Sequence, residues 1–471
     1  MSQAEELWAL PATTLAQRYR EGSLSPVAVV QAVQARIDAV NPRLNAIVSR
    51  RDAAALAEAH ESARRLAEGR PLSMLDGIPL TVKDSLYLDG LPTTCGTPAL
   101  AAHQPGHDEL AAARAREAGA LILGKTNVPE FANDGYTANP VFGVTGNPWA
   151  PELTPGGSSG GAVAAVAAGM GPLAIAQDGG GSIRRPASHT GLVGLKPSLS
   201  AWPRIRQLPG LLLDFDCIGP VGRTVADVRM LFELLRGPDA ADRSSLSAAW
   251  AARERMQPAS RPLRVLYVEH LNANPLDRQI APSCRAAVQQ LAALGHHVED
   301  GELPVDVSYL MQAWPEIGQV GLAAMFEQHP DWEAQASAKY REGAAAGRRV
   351  SGARVWQIME RVRQLRRESV AMFERFDVIA MPAAAALPWP AHEAYPTHID
   401  GQAVGPRGHA AYTGWVNAAG LPGLSVPAAP SREGLPIGLQ LIGPYGGDDL
   451  LLELGAAYEA AAPWADRWPA L

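Results

Sequence analysis

Gln177-Asp178-Gly179-Gly180-Gly181-Ser182-Ile183-Arg184-Arg185-Pro186-Ala187 is the stretch on which the reading of this chain turns. Three glycines ahead of a serine let successive backbone N–H groups converge on one point, a nest suited to an oxyanion. Just upstream, 173–176 reads as a strand running into this loop. Gly156-Gly157-Ser158-Ser159-Gly160-Gly161 precedes it and opens a small-residue helix expected over 160–170. Farther back, Lys83 ends the apolar run Ile78-Pro79-Leu80-Thr81-Val82, a buried-strand pattern that would bring its amine out at a sheet edge with apolar residues behind it.

These groups suit the cleavage of an amide, which is a poor electrophile with a poor leaving group. Hydrolysis needs an activated nucleophile, a proton donor for the departing amine and donors aimed at the tetrahedral oxyanion. A serine hydroxyl needs a base, and in many serine hydrolases that base is a histidine. His103 and His107 lie far from the serine motifs in sequence, and His189 falls just past the loop. A lysine serves as base only when neutral, and burial disfavours its ammonium form. Lys83 meets that requirement; taken alone it would read as an ordinary lysine at a strand end. Phosphate binding by the Gly/Ser loop fails, because Gly160-Gly161 is followed by Ala162 and a P-loop needs GxxxxGK[ST].

Order, spacing and flanks of Lys83, Ser158 and Ser182 resemble the amidase signature family. The resemblance is dense over 76–228, returns at 376–382 and 415–470, and is thin between 235 and 375. It implies that Ser182 carries the acyl group and that Lys83 takes and returns the proton through Ser158, a bridging serine at an unusual cis peptide. It further implies an oxyanion hole from the amides of Gly179, Gly180, Gly181 and Ser182, with Ser159, Asp178 and Arg184 in support. The plain alternative for Asp178 and Arg184 is a local surface ion pair. Glycine at 179, where many members carry a bulkier residue such as isoleucine, is a mild departure that leaves the donors present. Tyr136, in a segment resembling the acyl-side wall, is expected to touch substrate, with core packing as the equal alternative. Cys217 is placed at the pocket too, against the plainer reading of a buried thiol.

The implied activity is hydrolysis of a linear, non-peptide carboxamide, with a small-molecule amide as partner and no cofactor or metal. The glutaminase subunit of a tRNA-dependent amidotransferase would use the same three residues. So would an esterase or urethane-cleaving relative, and a non-catalytic binding protein could keep the fold. The thin middle region favours a free-standing amidase, with a homodimer left open.

Composition sets the outer bounds. The chain has 471 residues, 47% hydrophobic and 19% charged, with a formal net charge of −7. That is ordinary for a soluble globular protein with a large core. No long Lys/Arg block suggests a nucleic-acid footprint, and the apolar run 162–176 is broken by Gly169, Gly171 and Pro172 and too short for a bilayer. Three scattered cysteines without CxxC spacing fit a reducing cytoplasm. The first residues lack a basic and an apolar signal-peptide region, so none is expected.

The expected fold is α/β: one large domain with a twisted mixed sheet sandwiched by helices. Residues 1–70 read as helices, opened by Ser25 as a cap and Pro26 behind it. Residues 71–230 form the catalytic core, where short strands, helices and glycine turns alternate as in a largely parallel sheet. Residues 231–375 form a variable, mostly helical substrate-side region, and 376–471 complete the sheet.

Overall fold

The computed structural model, which describes residues 6–205, 208, 210–255 and 261–471, places eleven strands in one sheet. The signal-peptide reading rests partly on residues 1–5, which lie outside the described residues. Across the sheet the strands run Ile47–Arg50, Leu121–Thr126, Pro79–Lys83, Leu173–Asp178, Cys217–Gly222 and Val193–Lys196. They continue with Gly423–Pro427, Gly438–Ile442, Val378–Pro382, Arg264–Tyr267 and His297–Asp300.

The sheet is mixed, but it is not largely parallel. Parallel pairing is confined to the flanks: Pro79–Lys83 lies between Leu121–Thr126 and Leu173–Asp178, and Arg264–Tyr267 between Val378–Pro382 and His297–Asp300. From Leu173–Asp178 across to Val378–Pro382 every pairing is antiparallel. Gly423–Pro427 and Gly438–Ile442 are joined by a turn, and antiparallel neighbours need no crossover helix. A second correction concerns the first seventy residues. Ser25 does cap the helix Pro26–Leu44, through a 3.2 Å bond from the Val27 amide. That helix ends at Asn45 in the left-handed conformation, and a β-branched pair then begins the edge strand Ile47–Arg50.

Alternation along Leu173–Asp178 sets the layers. Ala174 and Ala176 face a small-residue cluster built from Ala162, Val163, Val166, Ile183 and Ala187. Leu173 and Ile175 join the main core on the other face, with Val225, Val228 and Leu231. The helix Gly160–Ala167 is buried at every residue, because its small side chains let its backbone lie close to neighbouring loops. A Cβ on Gly161 would sit 2.3 Å from the Asn127 amide nitrogen. Both ends of this helix–strand unit carry chemistry: the serine pair precedes the helix, and the glycine loop follows the strand.

This close approach is testable. Gly161→Ala should destabilise the protein by about 1–3 kcal/mol, the range for overpacking, as a lower midpoint in urea unfolding. An unchanged midpoint would show that the contact gives way freely.

Candidate functional site

Strand ends converge on one cavity of about 900 Å³, whose wall includes Lys83, Ser158, Gly179, Gly180 and Ser182. Lys83 closes a strand interior to the sheet, so its amine emerges at a strand end well inside the protein, not at a sheet edge. It is 1% exposed. Its Nζ is 2.8 Å from Ser158 Oγ and 3.2 Å from the Gln177 carbonyl oxygen. Burial lowers its pKa to about 8, against the opposing pull of Asp216, Asp178 and Cys95. No carboxylate bonds to it among the described residues. Lys125 is equally buried but has Asp84 at 3.3 Å. Lys196 bonds the Pro197 carbonyl oxygen at 2.6 Å. Of these three buried lysines, Lys83 alone lines the cavity.

The Gly157–Ser158 peptide bond is cis. Ser159 faces inward: its Oγ donates to the Gln177 carbonyl oxygen at 3.0 Å, and its amide donates to the Ser182 carbonyl oxygen at 3.2 Å. Lys83, Ser159 and the glycine loop thus meet around the end of one strand. Ser182 Oγ has no hydrogen-bond partner among the described residues, so the link from Ser158 to Ser182 is not made in this structure.

The glycine loop is held by a buried carboxylate. Asp178 accepts from the amides of Gly181 at 2.6 Å and Ile183 at 3.0 Å, from Arg184 Nε and Nη2 at 3.0 Å each, and from Asn417 Nδ2 at 3.0 Å. Burial alone would raise its pKa, but the Arg184 charge and hydrogen bonds hold it far below the usual carboxylate range. Arg184 reaches on to Gln440 Oε1 at 2.6 Å, Asn417 Oδ1 at 2.5 Å and the Thr413 carbonyl oxygen at 3.2 Å. Both partners are fully buried, so the surface ion pair considered from sequence is instead the interior brace of the loop.

Gly181 corrects the expected set of oxyanion donors. Its N–H is committed to Asp178, while the carbonyl of the same peptide, on Gly180, accepts from Arg185 Nη1 and from Thr413 Oγ1 at 2.8 Å. The amides of Gly179, Gly180 and Ser182 remain without an acceptor among the described residues. At Gly179 the Asp216 side chain comes close, and a Cβ there would lie 2.2 Å from its Oδ1, so a larger residue would need that side chain to move.

The two substrate contacts expected from sequence do not line the cavity. Asn133, Asp134 and Gly135 do, but the chain then turns. Tyr136 is half-buried and presses its backbone on Gly157, where a Cβ would meet its carbonyl oxygen at 2.4 Å. Cys217 is a buried thiol with Sγ 3.5 Å from Lys196 Nζ. Its neighbour Asp216 takes the place on the cavity wall, as alternation at a strand start requires.

Sequence reasoning missed Arg185, Thr413, Asn417, Gln440 and His409. Arg185 stands in the opening stretch, and its adjacency to Arg184 was the available signal. Thr413, Asn417 and Gln440 lie more than 200 residues downstream of the loop they brace. His409 lines the cavity and packs against Trp389 with ring centroids 4.8 Å apart. Burial beside Arg185 and Arg407 holds its pKa well below the ordinary histidine value. His189 bonds the Ala386 carbonyl oxygen through Nε2 at 3.1 Å, and burial lowers it to about 4. Neither ring has a serine hydroxyl as hydrogen-bond partner among the described residues.

A deep cavity holding a buried lysine, two serines and open backbone amides has the parts of a serine-dependent acyl-transfer site. The family model described as Amidase matches residues 28–452, and the chain belongs to this family, the amidase signature enzymes. An acylamidase from Rhodococcus erythropolis is 33% identical over 470 residues, covering 98% of this chain and 97% of that protein. A glutamyl-tRNA(Gln) amidotransferase subunit from Picosynechococcus is 33% identical over 487 residues, covering 97% of this chain and 99% of that protein. Among solved structures, a bacterial aryl acylamidase superposes with a TM-score of 0.87 at 28% identity over 97% of both chains.

Removing one partner of the buried pair should cost far more than an exposed pair would. Arg184→Met should lower unfolding stability by about 3–5 kcal/mol, the range for a buried charge left uncompensated. Denaturant titration measures this, and a loss under about 1 kcal/mol would mean that Asp178 is satisfied without the guanidinium.

Proposed function

We infer that the enzyme cleaves the C–N bond of linear, non-peptide carboxamides through an acyl-enzyme on Ser182. The observation that carries this reading is the uncompensated Lys83 amine, 2.8 Å from Ser158 Oγ, in the cavity that also holds Ser182. Neutral Lys83 accepts the Ser158 hydroxyl proton, and Ser158 in turn accepts the proton of Ser182. Ser182 Oγ then attacks the substrate carbonyl carbon. The relay closes by a seryl rotamer turning toward its neighbour, because hydrogen bonds between catalytic groups often tighten only once substrate is bound. The tetrahedral oxygen anion sits against the amides of Gly179, Gly180 and Ser182. The proton held on Lys83 returns through Ser158 to the leaving nitrogen, and the amine departs. Water, deprotonated along the same path, attacks the acyl carbon; the carboxylic acid leaves and Ser182 regains its proton.

The three cysteines are free and buried, which agrees with a cytoplasmic protein. No helix among the described residues is long and apolar enough to cross a membrane. A second reading, the glutaminase subunit of a tRNA-dependent amidotransferase, draws support from the 33% identity to one such protein. The two separate on the isolated chain. A free-standing amidase hydrolyses simple amides alone, whereas stoichiometric co-purification with a tRNA-binding partner would favour the amidotransferase.

A fluorophosphonate probe should add covalently to Ser182, located by peptide mass mapping, and Ser182→Ala should lose both the adduct and nearly all turnover. Full labelling of Ser182→Ala would move the nucleophile elsewhere.

Protonation of Lys83 has a definite sign. Its folded pKa lies below the ordinary 10.5, at about 8, so the neutral base accumulates as pH rises through that value. kcat/KM should climb along one ionisation there and be small well below it. Lys83→Arg keeps a cation but supplies no neutral amine, and should lose on the order of 10²–10⁴ in rate, as Lys83→Ala does. Near-wild-type rates in Lys83→Arg would exclude a lysine base.

A further inference from the structure

Among the described residues, the charges on the cavity wall do not balance. Asp216 pairs with Arg204 at 3.4 Å and Asp134 with Lys339, while Glu342 is exposed to solvent. Two guanidinium groups on the wall have no carboxylate partner among the described residues. Arg185 spends its donors on the Gly180 and Gly157 carbonyl oxygens and on Thr413 Oγ1. The Arg407 side chain makes no hydrogen bond or ion pair among the described residues. Its guanidinium lies over the Trp314 ring, 4.8 Å from the centroid.

Arg407 is half-buried, and burial lowers its pKa to about 10, so it stays charged at neutral pH. The carboxylate that most affects it is Asp134, already held by Lys339. Arg407 is near enough to Arg185 for the two cations to oppose each other. A cation held beside another, with the acid that most affects it already paired, gains from an anion brought in by a ligand. Arg407 also stands on rigid ground. The chain passes from it through the turn Gly408–Ala410 to Thr413, whose Oγ1 fixes Gly180 at 2.8 Å. The charge is thus tied mechanically to the loop that carries Ser182.

We propose that Arg407 is a specificity-determining residue, and that the amide substrates carry a carboxylate, remote from the scissile bond, which seats on its guanidinium fork. A guanidinium that lies over an indole face keeps N–H donors free, and a carboxylate can take them through two parallel hydrogen bonds. One open guanidinium matches a monoanion. A neutral analogue leaves the cation unpaired in a partly desolvated wall, and unmet polar groups of this kind are what let a site reject close relatives of its substrate. The inference narrows the substrate class of the amidase reading and rests on it.

Two matched pairs test it and also locate the anion. Glutaryl para-nitroanilide against pentanoyl para-nitroanilide puts the carboxylate on the acyl side. N-butyryl-para-aminobenzoate against N-butyrylaniline puts it on the amine side. In one pair the wild type should favour the carboxylate member in kcat/KM by about 10–100-fold, the span of a charge-assisted hydrogen bond. Arg407→Ala should bring that ratio near unity, mainly through KM, and Arg407→Lys should keep part of it. Glutarate should slow fluorophosphonate labelling of Ser182 in the wild type and not in Arg407→Ala, a readout that needs no turnover. Were Arg407→Ala to fold poorly, Arg407→Lys and the wild-type ratios still decide. Amides cleaved without preference in either pair, or a ratio unchanged in Arg407→Ala, would overturn the proposal while leaving the amidase reading intact. Absence of both turnover and a Ser182 adduct would overturn the amidase reading itself.

Discussion

Two charged groups removed from water at neighbouring strand ends, and treated in opposite ways, organise this protein. Asp178 is given every partner a carboxylate can use: two loop amides, the Arg184 fork and Asn417. It stays ionised, and that ionised form shapes the glycine loop. Lys83 is given a hydroxyl and a carbonyl oxygen but no counter-charge. With desolvation outweighing the pull of Asp216 and Asp178, its amine sheds the proton more readily than a lysine in water. One group becomes a structural brace and the other a base because, among the described residues, only the first is bonded to a group of opposite charge. Lys125, as deeply buried but beside Asp84, shows the structural outcome for a lysine.

The brace explains why chain segments far apart in sequence share the site. Arg184 links the loop to Thr413, Asn417 and Gln440, so the final strands of the sheet hold the peptide that presents the open amides. The helix Ser308–Gln328 contributes Trp314 and Gly318 to the opposite wall, and Ala338–Gly347 contributes Lys339 and Tyr340. The reaction resides at the sheet's strand ends and the choice of substrate in helices and loops around them, the usual division between a rigid scaffold and its connecting segments.

Part of this was legible in the sequence because its causes are local. Glycines around Ser158 and Ser182, and the apolar run before Lys83, identify the groups that the structure brings to one cavity. Strand pairing was less legible, since a neighbour such as Gly423–Pro427 meets Val193–Lys196 across more than 200 residues, and alternating short elements suggest parallel order by default. Which way a side chain faces at the site was hidden too. Cys217 and Asp216 are adjacent, and a one-residue difference in position decides which of them meets the cavity. The Gly181 amide was misjudged because the sequence does not show which loop amide Asp178, read as a support of the loop, takes for itself. Arg407 carried no signal at all, because an arginine's lack of partners is visible only once the fold has placed every acid.

The central claim is that burial without a counter-charge turns Lys83 into a neutral base, and the direct test is the ionisation of that one amine in the free enzyme. Lysine labelled with ¹³C at Cε, assigned by comparison with Lys83→Arg, can be titrated by NMR. The account predicts a single ionisation near 8. A Lys83 resonance that titrates near the ordinary 10.5 would contradict it, whatever the variants show in rate.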